Sequence, residues 1–137
     1  MTAPTDLTAM LHRTMPLCAT LGVTATEFEA ERVVLHMEWQ AGLCTSNDLL
    51  HGGAIMALAD SAGGATAFLN LPDGAVGTST IESKTNFFRG VTSGTVTATA
   101  TALHKGSTTI VVETEITNGG RLVAKVTQTQ AVLRPRT

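Results

Sequence analysis

The second half of this chain alternates apolar and polar residues at a period of two, while the middle repeats at helical spacing. Thr95 to Leu103 alternates Thr with Val or Ala, and Ser107 to Thr117 places Ile110, Val112, Thr114 and Ile116 on one face. Asn118-Gly119-Gly120 is a hairpin signal, and Arg121 to Leu133 returns as a strand. From Gly77 onward nearly the whole chain reads as strand. Val23 to Trp39 reads as a hairpin turning near Ala30-Glu31, with Val33, Leu35, Met37 and Trp39 on one face. His51 to Leu69 reads as the main helix: Ile55, Leu58, Ala59, Ala62 and Ala65 recur at helical spacing. Apolar or small residues occupy nearly every side of it, which predicts a helix covered all round. Leu7 to Leu21 reads as two short helices broken at Pro16, with Asp6 as cap and Gly22 as stop. Gln40 to Leu50 is irregular and reads as a loop, and Pro72-Asp73-Gly74 as a turn.

Length selects the architecture. A ten-residue strand spans about 34 Å, and an 18-residue helix about 27 Å. One long helix against one long antiparallel sheet fits these dimensions, provided the sheet curls around the helix. The expectation is an α+β fold with a central helix in a curved sheet, forming one domain over residues 1–137 that includes the N-terminal helical segment 1–21. No repeat, heptad or linker divides the chain.

Composition changes this picture in one respect. Of 137 residues, 43% are hydrophobic and only 15% charged, against about 25% charged in typical soluble domains. So little charge predicts that part of the surface is buried by self-association. Other classes are excluded. Lys plus Arg total 9, the net charge is -2 and no basic run exists, so nucleic acid is not expected as a partner. Gly52 to Leu71 approaches the length of a membrane span. Asp60 lies near its middle, where a carboxylate costs about 2.5–3.5 kcal/mol, and Gly63, Gly64, Ser61, Thr66 and Asn70 dilute it further. A buried helix fits better than a membrane one. Cys18 and Cys44 have no metal spacing, nor do His12, His36 and His104, so neither a metal nor a cofactor is expected. Met10, Met15, Met37 and Met56 read as core fillers. Met1 to Asp6 lacks the basic and apolar regions of a secretion signal, and with reduced thiols the expected location is cytoplasmic.

The candidate chemistry lies around the main helix. His51-Gly52-Gly53 opens it, and first-turn N–H groups lack intrahelical partners. Gly52 and Gly53 let backbone approach a ligand closely, where those N–H groups can stabilise an oxyanion; two glycines alone serve a tight turn equally well. Asp60 is the one charge in a helix that reads as covered, and a buried carboxylate needs a partner or a function. A contact with Ser61 or Thr66 is the plain alternative. Gly52 and Asp60 are eight residues apart, about 12 Å along a straight helix, whereas reacting groups converge to about 3 Å. They can share a site only between two subunits, Gly52 of one facing Asp60 of its mate.

His51-Gly52-Gly53, six residues and then Asp60 resembles the signature of hotdog-fold acyl-CoA thioesterases, in the phenylacetate-degradation branch related to hydroxybenzoyl-CoA thioesterases. Thr80-Ile81-Glu82 through Asn86-Phe87-Phe88-Arg89 looks like that family's third strand. His104-Lys105-Gly106, the Ile110 to Ile116 strand and Gly120-Arg121-Leu122-Val123-Ala124 resemble its last hairpin. The resemblance covers about residues 20–133. It implies a homodimer or homotetramer with sites at the subunit interface, and an acyl-CoA substrate. It assigns the Gly52 N–H to polarising the thioester carbonyl, Asp60 to activating water or attacking directly, and Thr80 to holding the water. His51 would lie near the leaving thiolate, and Arg89 would bind CoA phosphates. Relatives often carry Asn six residues before the His, where Thr45 stands here; Asn47, four before, is the candidate substitute. Gly90 stands where the family often has Pro. The small residues Gly63 and Gly64 leave room for an acyl or aryl group. The alternatives are a hotdog enoyl-thioester hydratase, whose His-plus-carboxylate motif is not found, and a non-catalytic acyl-CoA binding module, for which no fused domain is evident.

Overall fold

A computed structural model describes residues 3–136; Met1, Thr2 and Thr137 lie outside the described residues. The chain folds as α1 (Pro4–Thr14), α2 (Pro16–Leu21), β1 (Thr24–Glu29), β2 (Arg32–Glu38), α3 (Gly52–Leu69), β3 (Gly77–Phe87), β4 (Thr95–Lys105), β5 (Thr109–Asn118) and β6 (Arg121–Leu133). The six strands make one antiparallel sheet in the order β1-β2-β4-β5-β6-β3, with α3 lying across it. This is the α+β hotdog arrangement the sequence led us to expect.

The period-two pattern explains the sheet. Val33, Leu35 and Met37 of β2, Val96, Ala98 and Ala100 of β4, and Ile110, Val112 and Ile116 of β5 are buried against α3. Ala59, Ala62 and Ala65 on the helix meet them with short side chains. Register carries the face across: Ala98 pairs with Leu35 on one side and Ile116 on the other. The hairpin between β1 and β2 turns at Ala30 and Glu31. That between β5 and β6 turns at Gly119 and Gly120, which both adopt the left-handed region, at φ 59° and 76°.

Three local expectations change. Asp6 lies inside the first turn of α1, and Ala3 occupies the cap position without a side-chain bond. Gly22 does stop α2, at φ 71°. The 40–50 segment is two short 3-10 turns, Ala41–Leu43 and Ser46–Asp48. The third change is the largest: α3 is not covered all round. Ile55, Leu58, Ala59, Ala62, Gly63, Ala65, Thr66 and Ala67 are buried, but Gly53, Met56, Asp60 and Phe68 form an exposed stripe at helical spacing. Beside that stripe runs β3, a sheet edge of eleven residues with Ile81 and Phe87 exposed.

Candidate functional site

Asp60 stands in the middle of the open stripe, exposed rather than buried. Neither neighbour on the helix partners it: Ser61 donates to the Ala57 carbonyl and Thr66 to the Ala62 carbonyl. Its contacts come from the sheet. The Thr80 hydroxyl of β3 lies 2.8 Å from Asp60 Oδ1, and Gln128 Nε2 of β6 donates to the same oxygen at 3.1 Å. Gln128 Nε2 also donates to Gln130 Oε1 at 2.9 Å, and that oxygen lies 2.6 Å from the Thr80 hydroxyl. Gln130 Nε2 donates to Thr78 Oγ1 at 3.2 Å.

Strand register creates this cluster. Thr80 pairs with Gln130, Ser83 with Gln128, and a bulge at Ile81 separates the two pairings. The inward face of β6 begins with Ala124 and Val126 and continues with Gln128 and Gln130, which are 0% and 2% exposed. Full burial of glutamine is rare and costs about 1–3 kcal/mol where the amide lacks partners.

Next to Asp60 opens a groove of about 550 Å³. Met10, Met15 and Leu17 from the N-terminal helices, Phe28 from β1 and Phe68 from α3 form its apolar walls, and Asp60 is the one ionisable residue lining it among the described residues. Met10 is thus a groove residue, Met15 both packs against the core and lines the groove, Met37 is core, and Met56 lies on the open stripe. Gly64 faces free space, with nothing within 4 Å of where a Cβ would sit. Gly63 differs, because a Cβ there would overlap the Gln128 amide. Only Gly64 leaves room for a ligand.

The helix start forms a second group. His51 caps α3, its Nδ1 accepting the Gly53 N–H at 2.7 Å. The Gly53 N–H is therefore engaged. Among the described residues nothing accepts the Gly52 N–H, the first of the helix. The Phe87 ring covers Gly52, with Cζ 3.1 Å from where a Cβ would sit. Gly52, Thr45 and Arg89 line one hollow of about 370 Å³ with Phe87 and Phe88. Asn47 does not line it; it stands exposed in a left-handed turn at φ 62°.

The structure thus joins Asp60, Thr80 and Gly64 at one place and Gly52 and Arg89 at another; His51 and Gly53, at the same helix start, line a separate hollow with Leu17, Leu21 and Cys44. The helix between them is unbroken from Gly52 to Leu69, so about 12 Å of axial rise separates Gly52 from Asp60. Neither cysteine offers a competing nucleophile. Burial pushes the Cys18 thiol up. Partial desolvation, and then the Asp48 charge, raise that of Cys44.

Residues 47–125 match the family described as the Thioesterase superfamily. The chain is 35% identical over 117 residues to a candidate esterase of Saccharolobus solfataricus, spanning 85% of this chain and 82% of that protein. It is similar in structure to a mutant thioesterase from Pseudomonas aeruginosa, with a TM-score of 0.85 and 29% identity over 92% of this chain and 93% of that one. A mutant form of the phenylacetic acid degradation protein of Thermus thermophilus gives a TM-score of 0.79 and 26% identity, covering 86% of this chain and 99% of the other.

Proposed function

This chain belongs to the thioesterase superfamily and is a thioester hydrolase, and from that premise we propose that it hydrolyses acyl- or aryl-CoA at sites shared between two subunits. The observation carrying the proposal is the separation of the two halves of the site. An unpartnered Gly52 N–H suits a developing oxyanion, and Asp60 beside an apolar groove suits attack on an acyl carbonyl. They lie at different levels of one unbroken helix. A two-fold axis that sets α3 antiparallel to its copy brings Gly52 of one subunit to Asp60 of the other. Met56 is midway between them and exposed, so the axis passes beside it. The exposed edge of β3 would pair with its own copy in the same arrangement, which removes a long open sheet edge.

In this site the acyl group enters the groove beside Gly64, and the CoA phosphates lie toward Arg89 of the other subunit. Asp60 either deprotonates a water that attacks the carbonyl carbon, or attacks that carbon itself to form a mixed anhydride that water then cleaves, freeing the acid and the carboxylate. The carbonyl oxygen gains charge against the Gly52 N–H, the C–S bond breaks, and the CoA thiolate leaves on the side of His51. The test is free-thiol release from a panel of aliphatic and aryl acyl-CoAs by the native protein and Asp60→Asn. Release by the native protein that falls about 10²- to 10⁴-fold in the variant, the range of acid–base contributions, supports the reading. No release across the panel, or equal release by both proteins, overturns it.

A further inference from the structure

Asp60 has two potential donors, and they are not equivalent. Thr80 carries a single hydrogen, and its oxygen lies within reach of both Asp60 Oδ1 and Gln130 Oε1. It can donate to only one of them at a time. Gln128 Nε2 carries two hydrogens and directs one to each of the same acceptors. Whichever way the threonine hydroxyl turns, Gln128 continues to hold the carboxylate. We infer that Gln128 is the positioning residue of Asp60: it ties Oδ1 to the sheet so that Oδ2, which has no hydrogen bond among the described residues, faces the reacting carbonyl.

Two features of the chain fit this role. Gln128 is fully buried on a strand face that is otherwise apolar through Ala124 and Val126, so its amide is held where packing alone would favour a hydrocarbon. The helix makes room for it as well. Gly63, one turn beyond Asp60, lies against the amide so closely that any side chain would displace it. The glycine fixes the depth of the glutamine, and the glutamine fixes the direction of the carboxylate. The inference rests on the thioesterase reading of the same site, and it concerns a residue that need not touch the substrate.

The decisive experiment compares Gln128→Met, which keeps the length of the side chain without its donors, in the native and Asp60→Asn backgrounds. The expected result in the native background is a loss in kcat of about ten- to a hundredfold, the worth of one hydrogen bond to a charged group, with KM changed less than about twofold. In the Asp60→Asn background the same substitution should change the residual rate less than about twofold, since there is no carboxylate left to orient. Gly63→Ala should reproduce the loss without touching Gln128 chemically, which covers the case of a poorly folding Gln128→Met. An unchanged kcat, a change in KM alone, or an equal loss in both backgrounds would overturn the inference. A readout free of turnover separates it from the reading it rests on: in the native protein the Gln128 side-chain amide hydrogens should exchange slowly, and their resonances should move in Asp60→Asn. If no acyl-CoA is hydrolysed, the proposed reaction fails, and this amide measurement alone decides whether Gln128 holds Asp60; rapid exchange or unmoved resonances would refute it.

Discussion

The two ends of the stretch of α3 proposed to carry the reaction are built in opposite ways. At its start, His51, Gly52 and Gly53 are adjacent in sequence, and the useful group is backbone: an N–H left open by the geometry of any helix terminus. Two turns on, Asp60 is held by Thr80, twenty residues away, and by Gln128, sixty-eight away. One half needs only a correct helix start, whereas the other needs β3 and β6 in register. Substitutions at the start should therefore act through a single missing donor, and substitutions around Asp60 through a network.

Replacing Asp60 by Asn tests the networked half and should be the largest effect, at about 10²- to 10⁴-fold in thiol release. The local half can be tested as cleanly. Gly52 is the first residue of α3, where proline is well tolerated, and His51 already has the extended backbone that a following proline requires, at φ -63° and ψ 132°. Gly52→Pro removes the one N–H while leaving the helix, at the cost of a small shift of the Phe87 ring. It should lower kcat about 10²- to 10³-fold. The two variants together sharpen the comparison. In a mixed pair, one subunit supplies an intact Gly52 and the other an intact Asp60, so one of its two sites is whole. Dissociating and reassociating an equal mixture of the inactive proteins should recover a substantial fraction of native turnover. Recovery of nothing from pairs shown to have mixed would place both halves of each site in one subunit.

The same contrast governs what the sequence made legible. The hairpins, the bounds of α3 and the His51-Gly52-Gly53 start depend on neighbours, and turn residues and periodicity reveal them. The open stripe was hidden because Gly53, Met56 and Phe68 are apolar or small. Hydropathy does not distinguish a face covered by the chain's own sheet from one left open. The glutamines were hidden because Thr127-Gln128-Thr129-Gln130 has no apolar alternation to assign a face. A signal was available: continuing the alternation of Ala124 and Val126 places both glutamines inward, where the pattern calls for hydrocarbon. Counting six residues back from His51 reaches Thr45, which lines the hollow by Gly52, whereas Asn47 stands exposed in a left-handed turn that hydropathy does not reveal.

A smaller and more selective effect belongs to the groove. Gly64 faces open space beside Asp60, whereas its neighbour Gly63 is pressed against Gln128. Gly64→Leu, which adds four carbons, should suppress turnover of bulky acyl groups at least about tenfold relative to short ones, since even one methylene's worth of pocket is worth that much. Gly63→Ala should lower turnover of all acyl groups alike, because it moves the carboxylate and not the wall. An unchanged chain-length preference in Gly64→Leu would remove the groove from the acyl site.

The smallest effect should come from Arg89, which closes the hollow beside Gly52 from just beyond the end of β3. Its side chain is exposed and has no acidic partner among the described residues, so it is free to meet a phosphate. An exposed pairing of this kind is worth about 0.2–1 kcal/mol. Arg89→Gln should accordingly raise KM for acyl-CoA by roughly 1.4- to fivefold with kcat unchanged. The difference between the two proteins should shrink as salt rises from low ionic strength toward about 0.15 M, where charges more than about 8 Å apart are screened. A thioester on a short thiol without phosphates provides the control. On that substrate the two proteins should be equal, since only the phosphates distinguish arginine from glutamine at this position. A loss of kcat on both substrates would instead assign Arg89 to the helix-start half of the reaction, acting through Phe87 and Gly52 rather than through the bound CoA.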